Sequence, residues 1–162
     1  MSAARDAPAM PRAPRCLFAL MLILPVPLVF GADDCGARDS ITERVLCRAD
    51  DAVAADSSAP CDTAHDARVR DQCYGVFAVR TGSASACRSI PGDTERADRL
   101  RQICLSDVAI VTGNGALCAE IADDGLHDAC HLKLHRDTGN EALCRRIRGE
   151  ALRRLCGSTD PG

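Results

Sequence analysis

The chain has 162 residues and a formal net charge of −3, which suits one domain of ordinary size. It contains no Trp, one Tyr and three Phe, so the aromatic packing that dominates many cores contributes little here. The mild acidity argues against a general nucleic-acid binder, because such a protein needs a basic surface. The scarcity of aromatics also weighs against base or sugar stacking as a binding mode.

Residues 1–31 have the organisation of a secretory signal peptide. Three Arg precede an apolar run at 16–30, which is short for a membrane span and is broken by two prolines. We predict cleavage after Gly31 or Ala32, with an uncleaved membrane anchor as the alternative. Residues 32–162 would then be a single periplasmic or secreted domain, with no stable membrane insertion after cleavage.

Removal of the signal peptide also removes Cys16 and leaves an even number of cysteines. In an exported chain these meet an oxidising compartment, where cysteines pair. The remaining cysteines are Cys35, Cys47, Cys61, Cys73, Cys87, Cys104, Cys118, Cys130, Cys144 and Cys156. They form a two-cysteine unit of 26 residues, with five extra residues in the unit that begins at Cys87. A fixed period of this size is typical of a helical or solenoid array.

A tripeptide punctuates the repeat after each of three units. It reads Thr-Gly-Ser at 81–83 and Thr-Gly-Asn at 112–114 and 138–140. Gly is the usual residue after a helix, and Ser or Asn is a good N-cap, so the tripeptide ends one helix and starts the next. Each unit is predicted to be a helix of about two turns, a tight turn and a helix of about three turns. The predicted fold class is all-α, a solenoid-like array of short disulfide-bridged helical hairpins.

The repeat narrows the disulfide pairing, although sequence alone does not fix connectivity. Pairing the second cysteine of each unit with the first cysteine of the next would leave Cys35 and Cys156 unpaired at opposite ends of the domain. Pairing the two cysteines within each unit leaves no cysteine unpaired, and the two cysteines of a regular unit are equidistant from its turn. An αα-hairpin places such residues opposite one another, within disulfide reach. The predicted bridges are Cys35–Cys47, Cys61–Cys73, Cys87–Cys104, Cys118–Cys130 and Cys144–Cys156.

The cysteine pattern carries a family resemblance. The matching residues are Leu117-Cys118 with Ile121, Leu143-Cys144 with Ile147, and Arg70-Asp71-Gln72-Cys73-Tyr74 with Ala78 and Gly82. This pattern resembles that of uncharacterised cysteine-patterned helical repeat proteins of prokaryotic envelopes. The resemblance covers most of the chain after residue 35, and only the unit at 61–86 carries the full RDxCY motif. It implies a fold and no activity.

His127, His131 and His135 are the candidate metal ligands. Their spacing of four residues puts three imidazoles on one helical face, and a histidine pair at i and i+4 can chelate Zn or Cu. Other units carry Arg, Tyr, Leu or Ala at these repeat positions. The alternative is a solvated helix flank. A thiolate metal store is disfavoured because the chain has no CxxC motif and Cys130 is predicted to be in a disulfide.

Catalysis finds little support, because the chain has no nucleophile motif such as GxSxG and its serines fall mainly at predicted caps and turns. Charge is uneven: the first two units are acidic and the last is rich in Arg, which either steers an acidic partner or simply completes a helix cap. We expect an exported, non-enzymatic protein-binding or structural module of the cell envelope, with an unidentified protein partner and no cofactor. The alternative is a periplasmic protein that binds a transition metal through its histidine face.

Overall fold

The computed structural model describes residues 34–157, which belong to one compact unit, Asp33–Gly162. The helices are α1 (Ile41–Ala54), α2 (Ala59–Asp62), α3 (Ala67–Thr81), α4 (Ala84–Arg88), α5 (Glu95–Thr112), α6 (Gly115–Ala119), α7 (Asp124–Thr138) and α8 (Glu150–Gly157), with 3₁₀ segments at Cys35–Ala37 and Glu141–Arg146. No strand occurs in this part of the chain, so the all-α fold class is confirmed. The predicted signal peptide lies outside the described residues.

Long and short helices alternate along the chain. The long helices α1, α3, α5 and α7 pack side by side in chain order, while α2, α4 and α6 each contact the long helices before and after them. The architecture is therefore a row of long helices backed by short ones, which is compatible with a solenoid-like array. No helix in the described range has the length and hydropathy needed to cross a membrane.

The helix lengths differ from those predicted. Helices α4 and α6 have five residues, about one turn, whereas α3 and α7 have 15, about four turns. The long helices continue to the residue before the glycine of the tripeptide. The short helices end one residue after their cysteine. The sequence predicted two turns for the short helix and three for the long one, so it made the short helices too long and the long helices too short.

The tripeptides act as helix punctuation. Gly82, Gly113 and Gly139 have φ of 69°, 69° and 67°, a left-handed conformation that glycine adopts without the steric cost of a Cβ. The residue after each glycine then caps the short segment, since its side-chain oxygen accepts a hydrogen bond from a backbone N–H. In the first unit, which lacks the tripeptide, Asp56 occupies the glycine register with φ of 47°.

The five disulfides join the pairs that the spacing predicts, and each ties a short segment to the helix that follows it. Their Cα atoms are 5.5 to 5.6 Å apart, close to the preferred separation for cystines. The extra residues of the third unit do not all enter its turn. Helix α5 begins nine residues before Cys104, whereas α7 begins six before Cys130, so part of the insertion lengthens the helix.

The buried apolar residues form two separate clusters. The larger runs through α1 to α7 and consists mainly of half-cystines, Ala and a few larger side chains, including Tyr74 and Phe77. The smaller belongs to the C-terminal hairpin, which we define as Glu141–Gly157, and consists of Leu132, Cys144, Ile147, Cys156 and the half-buried Leu152. The C-terminal hairpin therefore packs on α7 through this small cluster, while its Leu143 belongs to the larger one.

Candidate functional site

The three predicted metal ligands lie between α7 and the C-terminal hairpin. His127, His131 and His135 are 4%, 0% and 8% exposed, so none of them lies on a solvated helix flank. This face of α7 lies against the 3₁₀ segment Glu141–Arg146 and α8, the two elements that follow α7 in the chain and pack on it. The alternative interpretation, in which these histidines lie on a solvated helix flank, is wrong. The face of α7 that carries them is a contact between neighbouring hairpins.

The repeat shows what the histidines replace. His131 takes the register of Tyr74 and Leu105, and His135 takes the register of Ala109; all three of these residues are buried in the larger core. At this one contact the chain therefore exchanges apolar side chains for imidazoles.

Asp128 fixes the orientation of His127. The Nδ1 atom of His127 lies 2.9 Å from a carboxylate oxygen of Asp128, which also accepts the backbone N–H groups of Arg148 and Gly149 at 2.7 Å. Burial opposes ionisation, yet these hydrogen bonds hold the pKa of Asp128 below its ordinary value. The ionised carboxylate accepts a hydrogen bond from Nδ1–H of His127, so Nε2 is the ring nitrogen left to act as an acceptor or ligand.

His131 is a buried imidazole without a hydrogen-bond partner. Neither of its ring nitrogens has a partner among residues 34–157, and its ring centroid lies 4.6 Å from that of His127 in an edge-on arrangement. Burial lowers the pKa of His131 to about 4, and positive charge on His127 and Arg146 acts in the same direction. The ring is therefore uncharged at neutral pH and keeps an unused lone pair.

His135 is separate from this pair. It lies beside the Cys144–Cys156 bridge, and one of its nitrogens is within 4.8 Å of both sulphur atoms. The one other three-residue group of this kind in the described part of the chain is Cys35, Cys47 and Asp51. Both groups contain a disulfide, which offers no thiolate to a metal. The three histidines do not form such a group, so the structure brings together two of the predicted ligands and not three.

A groove across α1, α3 and α5 is a second candidate site, and the sequence did not predict it. It has a cavity volume of about 420 Å³ and a mainly apolar lining. The side chains that line it include Val45, Leu46, Val76, Val79, Leu100 and Ile103. Leu46 and Ile103 are 46% and 36% exposed, so two large apolar side chains face solvent across the same groove.

Gly75 opens the middle of the groove. It lies inside α3, where glycine weakens a helix, and no atom lies within 4 Å of the position that its Cβ would take. The residue at this register in α7 is Leu132, which is buried. A side chain at position 75 would therefore fill the groove rather than clash with the backbone.

Asp107 is the charged residue of the groove that lacks a counter-ion. Its repeat equivalent, Asp50, forms an ion pair with Arg80 of the next long helix at 2.5 Å. The register of Arg80 in α7 is occupied by Asp137, which binds Lys133. Asp107 is an exposed residue, and no hydrogen bond or ion pair joins it to any residue in 34–157; the neighbouring groove partly desolvates its carboxyl group and raises the pKa.

One sequence signal could have found the groove. The residue just before the second cysteine of a unit is Leu46 in the first unit and Ile103 in the third, at a position where the fourth has Ala129. Two exposed apolar residues at one register, with Gly75 between them in the chain, indicate a surface that solvent alone does not explain. The signal becomes interpretable only when the stacking of the long helices is known.

The comparisons with known proteins give no relative. No protein-family description, curated protein or solved structure matches this chain. Function therefore has to follow from the chemistry of the groove and of the buried histidine pair.

Proposed function

We propose that the protein is an exported, non-enzymatic binding module of the cell envelope or secreted space. Its groove across α1, α3 and α5 would hold a segment of a protein partner that presents apolar side chains beside a Lys or Arg. Five disulfides support an oxidising compartment, because such bridges persist outside the reducing cytosol. The cysteine-patterned envelope repeats that the sequence resembles are in keeping with this location.

The observation that carries the proposal is the carboxylate of Asp107 at the edge of an apolar groove. The carboxylate of Asp107 is exposed and has no cation in the described residues, so a Lys or Arg from a partner would form an ion pair with it while apolar side chains of the same partner enter the groove. The repeat itself shows the pairing, since Asp50 has Arg80 at the equivalent place. An acidic partner would be repelled at this position.

The size and rigidity of the groove suit a short segment. A cavity of about 420 Å³ is in the range of small-ligand pockets and would take a few side chains. The helices that form it are held by cystines, so little conformational freedom is lost on binding. The lining combines apolar side chains with two carboxylates and one guanidinium, which suits a segment that presents apolar and charged side chains together.

A pair of model peptides tests the proposal. The probes are an amphipathic Leu/Lys peptide and a Leu/Glu peptide with the same apolar residues, each titrated into the disulfide-intact protein by calorimetry. We expect the Leu/Lys peptide to bind and the Leu/Glu peptide to bind at least tenfold more weakly. Gly75→Leu, which fills the groove, should reduce Leu/Lys affinity at least tenfold, and Asp107→Asn should reduce it several-fold.

The matched control is Ala151→Leu, which adds the same side chain at an exposed position of α8, away from the groove. This control should bind the Leu/Lys peptide as the parent does. Binding that Gly75→Leu and Ala151→Leu leave equally unchanged would show general attraction of a cationic peptide to an acidic protein, and the groove proposal would be abandoned. Circular dichroism of each variant confirms that the helices are retained.

A further inference from the structure

The geometry points to His127 and His131 as a two-nitrogen binding site for a transition-metal cation, Cu²⁺ or Zn²⁺, between α7 and the C-terminal hairpin. The inference is independent of the groove, which lies on α1, α3 and α5. It also differs from the expectation of a three-histidine face, because His135 lies against a cystine and is not part of the pair.

The first support is the placement of the two rings. His127 and His131 are four residues apart on α7, so their side chains leave the same helical face one turn apart. Their ring centroids are 4.6 Å apart. Two imidazoles held on adjacent turns of a rigid helix can bind one cation together without the loss of freedom that separate ligands would suffer.

The second support is the carboxylate behind one ring. Asp128 holds His127 through Nδ1, which leaves Nε2 as the nitrogen that can coordinate. A histidine that ligates a metal almost always donates its other N–H to such a partner. Asp128 is itself fixed by the backbone N–H groups of Arg148 and Gly149, so the ring orientation is set before any metal arrives.

The third support is the unpartnered ring of His131. It is 0% exposed, and neither nitrogen has a hydrogen-bond partner in the described part of the chain. Buried polar groups are nearly always satisfied, so a specific exception calls for a reason, and a bound ion is one such reason. A coordinated cation would use the lone pair of one of these nitrogens.

The donor set and the charges around it define the class of ligand. Both donors are imidazole nitrogens, which suit Zn²⁺ and Cu²⁺ and bind Cu²⁺ more tightly, whereas Ca²⁺ and Mg²⁺ require oxygen. Arg146 and Arg148 are nearby positive charges that oppose a cation at this pair, and Arg148 is itself paired with Asp124. Asp128 contributes the negative charge closest to His127.

The test uses the disulfide-intact protein, stripped with a chelator and titrated separately with CuCl₂ and ZnCl₂. We expect one equivalent of tight binding, and the Cu²⁺ complex should give an electron paramagnetic resonance spectrum with two coordinated imidazole nitrogens. His127→Gln should weaken binding at least tenfold. Asp128→Asn should weaken it about 10- to 100-fold, as loss of a partner behind a metal ligand does.

Two controls separate this pair from other histidines. His65→Gln removes an exposed imidazole and His135→Gln removes the third residue of the face; both should retain the parent affinity. Because a change at fully buried His131 risks misfolding, the conclusion depends on His127→Gln and on the nitrogen count. Absence of stoichiometric uptake by the parent, or affinity that His127→Gln leaves unchanged, would overturn the proposal.

Discussion

The first three hairpins and the C-terminal hairpin are held to their neighbours by different chemistry. Helices α1, α3 and α5 meet over buried alanines and other apolar side chains of a shared core. The C-terminal hairpin meets α7 over His127, Asp128 and His131 and over a small apolar cluster, while its Leu143 joins the shared core. The same cysteine pattern therefore supports two kinds of contact. The side chains between hairpins, and not the bridges within them, determine what each region can do.

Loss of one bridge should separate the two regions most clearly. The double variant Cys144→Ala/Cys156→Ala removes a disulfide with a sequence separation of 12, which is worth about 3 kcal/mol. Because most buried apolar residues of the C-terminal hairpin lie in the small cluster, we expect its amide hydrogens to exchange much faster while those of α1 and α3 stay protected. Hydrogen exchange followed by mass spectrometry checks this.

The control is Cys61→Ala/Cys73→Ala, which removes a bridge inside the larger core. This variant should raise exchange in α2 and α3 and weaken binding of the Leu/Lys peptide to the groove. Equal loss of protection throughout the molecule in both double variants would contradict the separation into two regions.

Acidification should destabilise the C-terminal contact of the metal-free protein. The pKa of His131 is about 4 when folded and 6.5 in an unfolded chain, so the unfolded state binds more protons between these values. The stability due to the neutral ring is complete above pH 6.5 and is lost as the pH falls toward 4. The expected loss is up to about 3 kcal/mol, measured by urea unfolding in the presence of a chelator.

His131→Leu is the matched control for the pH effect. Leu105 has the same repeat register and is buried, so the substitution restores the side chain that the third unit carries. The variant should lose most of the dependence on pH between 4 and 6.5, although Asp128, His127, Arg146 and Arg148 remain around it. A dependence as steep as that of the parent would assign the effect to another group.

The smallest expected effect lies in the groove. Gly75→Ala places a methyl group in open space inside α3 and should raise the free energy of unfolding by about 0.5–1 kcal/mol. Thermal unfolding checks this. Gly139→Ala is the control, since φ of 67° disfavours a side chain and the substitution should lower stability instead. A loss of stability in Gly75→Ala would show that the groove is not open there.

Local signals predicted most of the fold. The cysteine register gave the five bridges, and the Thr-Gly-Ser/Asn tripeptides gave the helix ends, because both depend on residues close together in the chain. The helix lengths were less accurate, since the positions of the breaks inside each hairpin vary. The stacking of the hairpins determines which helix faces are buried. The cysteine periodicity does not contain this information, so it predicted neither the groove nor the burial of His131. The three histidines were found by spacing, but their separation into a pair and His135 depends on the position of the Cys144–Cys156 bridge.

Each bridge closes within a single hairpin, across a sequence separation of 12 or 17 residues. If a chain crosses a membrane N-terminus first, Cys35 is the one thiol of the domain already present when Cys47 emerges, so these two pair. Cys61 is then the one unpaired thiol when Cys73 emerges. The same holds for the later pairs. Oxidation in the order of emergence therefore produces the native connectivity directly. A domain built in this way can mature on the trans side of a membrane without a catalyst of disulfide rearrangement.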